Sequence, residues 1–276
     1  MKYRAFVKDI VNRPAIVAHR GAWHHAPENS IAAIEAAIAG QYDIVEVDIQ
    51  KSADGVLFLM HDWQLTRMTG NVTKAQDLTI AHLQSLPMRN GKGGEGAGLT
   101  SHHIPTLAEA LETARGKLFL DLDVKSFEHL ADVASLAADM GVTGEVDIKI
   151  KVQTAEQAAY LTELEKAYGL MVMPMVRFEG AHIDEQIALL QSVGANVVES
   201  KFDELALMHE NADAFRKAGL TIWVNTLDSV ACDDLLDSKA LEDPEKIWGR
   251  MCDAGIGIVQ TDEPEALAAW RGQRNG

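Results

Sequence analysis

Eight short apolar runs, alternating with stretches of helical periodicity, leave this chain few ways to fold. The runs are AIVAH (15–19), DIVEVDI (43–49), KLFLDLDV (117–124), EVDIKIK (145–151), LMVMPMV (170–176), ANVVES (195–200), LTIWVNT (220–226) and GIGIVQT (255–261). Between them lie segments such as SIAAIEAAIAG, TLAEALETARG, TAEQAAYLTELEKAYG and IDEQIALLQSVG. Their apolar residues recur near a 3.6-residue period, and most close on glycine. Strand and helix alternating eight times over predict an α/β protein, a parallel (β/α)8 TIM barrel. A length of 276 residues suits that fold, and 47% hydrophobic residues are enough for its core. A doubly wound open sheet would usually carry a Gly-rich nucleotide turn after its first strand, and none follows AIVAH.

Two stretches depart from the repeat. Residues 63–105 hold a helical pattern, DLTIAHLQSL, and then NGKGGEGAGLTSHH, and are read as one small insertion after strand 2. Its Gly-rich run lacks phosphate-loop spacing and follows no strand, so a flexible lid or rim is expected. Residues 228–253 form a long connection with two helical pieces, SVACDDLLDSK and PEKIWGRMCDAG. No repeat or linker calls for a second domain, so residues 1–276 are expected to form one.

Polar residues gather where such strands end, the face on which barrels carry their chemistry. His19 and Arg20 end the first strand, Glu46 and Asp48 the second, and Asp121, Asp123 and Lys125 the third. Lys149 and Lys151, Arg177, Glu199 and Lys201, and Trp223 and Asn225 follow on later strands. Residues two apart on a strand face the same way, so Glu46 and Asp48 project together. Unpaired carboxylates there would repel one another and resist desolvation. A divalent cation removes that cost, and oxygen-only ligands favour Mg2+ or Ca2+ over zinc. The alternative is an ion-pair network with Lys125, Lys149 or Lys151. His19 and His61 flank the same carboxylates, and both can work near neutral pH as base and acid. His24 and His25 lie close enough in sequence to touch a substrate.

A formal charge of −16 and a pI near 5.0 oppose binding to nucleic acid or an anionic membrane surface. A negatively charged ligand would need a locally positive site. Cys232 and Cys252 match no metal spacing and are expected as thiols in a reducing compartment. The first residues show no apolar leader, and no segment is long enough to span a membrane, so a cytoplasmic protein without stable membrane association is expected.

AHRG, APENSIAAIEAAI and DIVEVDIQKSADGVLFLMHDWQLTRMTG together resemble the glycerophosphodiester phosphodiesterase family. That family's pattern runs His-Arg-Gly, Pro-Glu-Asn-Thr/Ser, Glu-x-Asp, Asp-Gly, then His-Asp followed by Leu-x-Arg-x-Thr. DLTIAHLQSL, IPTLAEAL, LTIWVNTLD and GIVQTDEP continue the likeness across nearly the whole chain. The resemblance implies a TIM barrel with an insertion after strand 2. It implies a metal-dependent hydrolase that cleaves glycerophosphodiesters to glycerol 3-phosphate and an alcohol. By position it makes His19 and His61 the catalytic pair, and Glu46 and Asp48 metal ligands. Arg20 then lies near the phosphate, with Glu28 and Asn29 in support. Where the family usually has Glu-x-Lys, this chain has Asp123-Val124-Lys125, so Asp123 is expected to bind one divalent cation directly or through water. Lys125 and Trp223 are expected to bind substrate, with barrel core as the other role for Trp223. Lysophospholipase D or sphingomyelinase D activity on amphiphilic phosphodiesters, and a non-catalytic phosphodiester-binding barrel, are the alternatives.

Overall fold

The computed structural model describes residues 2–10, 13–151 and 154–274. All eight predicted runs are strands. In chain order they and the insertion give β1 (Ala15–His19), β2 (Ile44–Lys51), β3 (Leu57–Leu59), β4 (Pro87–Arg89), β5 (Leu99–His103) and β6 (Phe119–Val124). Then come β7 (Val146–Lys151), β8 (Met171–Arg177), β9 (Val197–Lys201), β10 (Thr221–Asn225) and β11 (Ile256–Thr261). The hydrogen-bonded order is β1-β11-β10-β9-β8-β7-β6-β2, with β1 also paired to β2, so the parallel strands close into the (β/α)8 barrel. β3 is an antiparallel addition to β2, with Ile49 opposite Leu59. Internal contacts gather the chain into two compact units, Met1–Val17 with Lys149–Gly276, and Ala18–Ile148.

Local chemistry sets the element ends. Ser30 caps the helix Ile31–Ala39 by accepting from the Ala33 amide. Thr106 and Glu109 form a reciprocal capping box at the head of Leu107–Ala114, and Thr154 caps Ala155–Tyr168. Each cap satisfies amides that have no partner inside the first turn. None of the described helices is long and apolar enough to cross a membrane.

The insertion, expected as a flexible lid or rim, carries secondary structure and a small core of its own. β4 and β5 pair antiparallel, with Arg89 opposite Leu99, and a small core forms beside them from Phe58, Leu65, Met68, Leu83, Met88 and Ile104, all without exposed surface. The Gly-rich run is tied down through its main chain. Gly91 donates to the Ala26 carbonyl at 3.1 Å and accepts from the Glu28 amide at 3.0 Å, while Gly94 donates to the Arg67 carbonyl at 2.8 Å. Gly93 has φ +69°, and a Cβ there would overlap the Arg67 carbonyl and approach Met68 Sδ at 2.7 Å. Glycine here permits close approach, not looseness.

In the unit that includes Lys149–Gly276, the connection 228–253 also differs from expectation. SVACDDLLDSK is mostly turn, and its helix starts only at Asp237–Glu242. The buried Asp237 carboxylate accepts from the hydroxyls of Thr226 (2.5 Å) and Thr261 (2.6 Å) and from the Asp262 amide (2.8 Å). Those bonds hold the chain in its turn, and burial pushes the Asp237 carboxyl pKa up. PEKIWGRMCDAG forms a π-turn, Glu245–Gly249, running into the helix Arg250–Asp253. Both cysteines are free, and burial pushes the Cys252 thiol up to about 11.

Candidate functional site

The acidic pair of β2 meets the acidic pair of β6 through strand register. Glu46 aligns with Asp121 and Asp48 with Asp123. Glu46, Asp48 and Asp123 each present an oxygen, and these three atoms lie within 4.8 Å of one another. Glu46 and Asp48 are buried, and Asp123 is partly exposed. An all-carboxylate set with an open side is suited to a hard divalent cation. His19 Nε2 stands 4.0 Å from Glu46 Oε2 at its edge.

The ion-pair network weighed against a metal is present at the same point. Lys125 Nζ bridges Asp48 Oδ1 (2.6 Å) and Asp123 Oδ2 (2.7 Å), and Arg20 Nε lies 3.2 Å from Asp48 Oδ2. Burial alone would push the Asp48 carboxyl up. The Lys125 ammonium and Arg20 guanidinium outweigh it and hold the group well below the usual carboxylate range. Burial likewise pulls the Lys125 ammonium down, while Asp48 and Asp123 raise it above an ordinary lysine. Asp48 is therefore held as a carboxylate, the form that binds a cation. Lys149, another of the lysines considered, pairs with Glu199 at 3.4 Å.

Backbone shape sets the next layer. Arg20 (φ +57°) and Asn29 (φ +54°) both sit in the left-handed region, where a side chain costs about 1 kcal/mol or more. The two are joined by Asn29 N donating to the Arg20 carbonyl at 2.9 Å. So placed, Asn29 engages Asp48 twice: Nδ2 donates to Oδ2 at 2.7 Å, and Oδ1 accepts from the Asp48 amide at 3.0 Å. Glu28 Oε1 accepts from Arg20 Nη1 at 2.9 Å and Arg67 Nη2 at 2.6 Å.

His61 is fixed from behind. Its Nδ1 lies 2.7 Å from Asp62 Oδ1, and Arg67 grips the same carboxylate with Nε (2.7 Å) and Nη2 (3.0 Å). Burial raises the Asp62 carboxyl, but hydrogen bonds from His61 and Arg67 carry it well below its usual range. An ionised Asp62 makes Nδ1 the donor and leaves Nε2 for other work. Gln50 steadies the turn, its Nε2 donating to the carbonyls of Met60 (2.8 Å) and Asp62 (2.9 Å). Asp62, Arg67 and Gln50 had no expected role. Asp62 and Arg67 were nonetheless letters of the His-Asp and Leu-x-Arg-x-Thr motifs. A cavity of about 1080 Å3 opens here, lined by His61, Trp63, Arg67, Arg89 and Lys125 among others.

Every predicted site residue except Trp223 thus lies within Ala18–Ile148. Trp223 belongs to the other unit and has no exposed surface. Its indole N–H is committed to Asn225 Oδ1 (3.0 Å) and Gln260 Oε1 (3.1 Å). That is the burial of a packing residue. Trp223→Ala is expected to cost about 3–5 kcal/mol in urea unfolding. An unaltered unfolding midpoint, with a raised Michaelis constant instead, would return it to the pocket wall.

Residues 19–266 match the model of the Glycerophosphoryl diester phosphodiesterase family. The chain belongs to that family. It is 39% identical to mouse glycerophosphodiester phosphodiesterase 1 over 128 residues, which are 46% of this chain and 37% of that one. A glycerophosphodiester phosphodiesterase of Caldanaerobacter subterraneus is 35% identical over 112 residues, 40% of this chain and 45% of the relative. The chain therefore covers less than half the length of these family members. Among solved structures, a glycerophosphoryl diester phosphodiesterase from Parabacteroides distasonis superposes with a TM-score of 0.78 at 22% identity, over 98% of this chain and 92% of that one. An Oleispira antarctica phosphodiesterase, solved with the product sn-glycerol-3-phosphate, gives 0.68 at 19% identity, over 93% and 96%. At these identities the structures speak for the fold.

Proposed function

We propose that the protein is a metal-dependent phosphodiesterase that hydrolyses glycerophosphodiesters to glycerol 3-phosphate and an alcohol. The observation that carries this is the meeting of three carboxylates, two cations and His19 at one point, with His61 oriented by Asp62 in the same unit. Family membership and the product found with the Oleispira relative support the substrate class.

Glu46, Asp48 and Asp123 would hold one divalent cation, Mg2+ or Ca2+, which would supply Lewis-acid polarisation of a phosphate oxygen. Arg20 and Lys125 take up the charge that grows on the other phosphoryl oxygens, where fixed donors act most strongly in a water-poor site. One of His19 and His61 removes the proton of the oxygen nucleophile, water being consumed overall, and the other protonates the departing alkoxide. Asp62 keeps the His61 ring in one tautomer, so Nε2 is the atom that exchanges the proton. Glu28 and Asn29 hold Arg20 and Asp48 in register. Amphiphilic diesters are a second reading, favoured by Trp63, which lines the cavity and is 48% exposed.

Purified protein is expected to release glycerol 3-phosphate from glycerophosphocholine and glycerophosphoethanolamine, to stop in EDTA, and to resume with Mg2+ or Ca2+. Faster turnover of lysophosphatidylcholine than of either would favour the second reading. No cleavage of any diester with any divalent ion would defeat both.

A further inference from the structure

Four cationic side chains line the cavity at His61, namely Arg67, Lys74, Arg89 and Lys125, against the carboxylates of Asp62 and Glu95. Two of the four are committed: Arg67 to Glu28 and Asp62, Lys125 to Asp48 and Asp123. Lys74 and Arg89 are different. Neither has a carboxylate partner among the described residues, and Lys74 is exposed. Arg89 is partly buried at the end of β4, its Nη1 donating to the Gly94 carbonyl. Its Nε is buried with no hydrogen-bond partner among the described residues. Gly70 leaves room beside that guanidinium, since a Cβ there would come within 3.2 Å of Nη2. Desolvating a guanidinium N–H without an acceptor is costly, and a ligand oxygen removes the cost. In a chain of formal charge −16, two uncommitted cations in one cavity make a local exception.

We infer that Lys74 and Arg89 form an anion-reading subsite for the leaving alcohol, so that diesters whose alcohol bears a second phosphate or a carboxylate are preferred. The guanidinium offers a fork that matches either group, and the ammonium adds a mobile point charge. Both residues belong to the insertion, so the barrel would supply the reaction and the insertion the choice of alcohol. The inference rests on the phosphodiesterase reading above.

The test uses two matched pairs. Glycerophosphoinositol 4-phosphate and glycerophosphoinositol differ by one phosphate, glycerophosphoserine and glycerophosphoethanolamine by one carboxylate. Wild type is expected to favour the more anionic member of at least one pair by about tenfold in kcat/KM, the scale of one charge-assisted hydrogen bond. The pair that shows it identifies the anion. Lys74→Gln and Arg89→Gln are each expected to bring that ratio to within about twofold of one, and Arg89→Lys to restore part of it. Lys74 is exposed, so its variant keeps the test alive should Arg89→Gln fail to fold. Equal kcat/KM within both pairs, or a preference untouched by either variant, overturns the subsite while leaving hydrolysis intact. Absence of hydrolysis of all four diesters overturns the phosphodiesterase reading and this inference with it.

Discussion

His19→Ala and His61→Ala are each expected to leave a folded protein whose turnover of a glycerophosphodiester falls by about 100-fold or more, the scale of a positioned acid or base. Folding should survive because neither ring is core: the side chains are 12% and 40% exposed. Circular dichroism checks the fold and kcat the chemistry. Asp62→Asn keeps the shape but loses the charge that orients His61, so its kcat should fall between wild type and His61→Ala. Near-normal turnover in either folded histidine variant removes that residue from the mechanism.

The second large effect concerns the carboxylates. EDTA-treated protein is expected to melt at a higher temperature once Mg2+ or Ca2+ is added, because the unfolded chain has no preformed site. At a hundredfold excess over the dissociation constant the gain is about 2.7 kcal/mol. Glu46→Gln should lose the shift and the activity together. Asp48→Asn should lose them too, but its own stability will also drop, since Lys125 and Arg20 would keep their charges without a full partner. Glu46→Gln is therefore the cleaner probe. Asp123→Asn should match it only if Asp123 touches the ion. Full hydrolysis in excess chelator, with no thermal shift, would mean that the cluster is an ion-pair network alone.

Much of this architecture is legible in the chain because its signals are local. Each strand is a short apolar run, and Glu46 and Asp48 share a face by the two-residue period alone. What brings Asp123 to them is the β2–β6 register, a pairing between segments far apart in sequence that no local pattern states. Lys125 illustrates the same limit from another side. A lysine two residues after an aspartate reads equally well as a substrate ligand or a counter-ion, and only the distances to Asp48 and Asp123 give it a position. The order within the insertion is hard to read for a different reason. Its glycines look like slack, yet they serve main-chain hydrogen bonds to Ala26, Glu28 and Arg67, and β5 is a mostly exposed strand with no apolar face to announce it. Trp223 offered two roles by position; its burial and doubly engaged indole speak for packing, and the unfolding and kinetics of Trp223→Ala decide between the two.

The anchoring of the Gly-rich run has a consequence for how such a protein can change over generations. Its ties run through amides and carbonyls, those of Gly91 to Ala26 and Glu28 after β1 and those of Lys92 and Gly94 to Arg67 within the insertion, and every residue type supplies a carbonyl. The conformational demand falls on the glycines, above all Gly93 wedged against Arg67. A side chain between them such as Glu95 can change without loosening the grip of Arg67 on Asp62. Such a loop can diversify its rim chemistry while the proton-handling groups keep their geometry, and new tastes in alcohol could then arise by single substitutions.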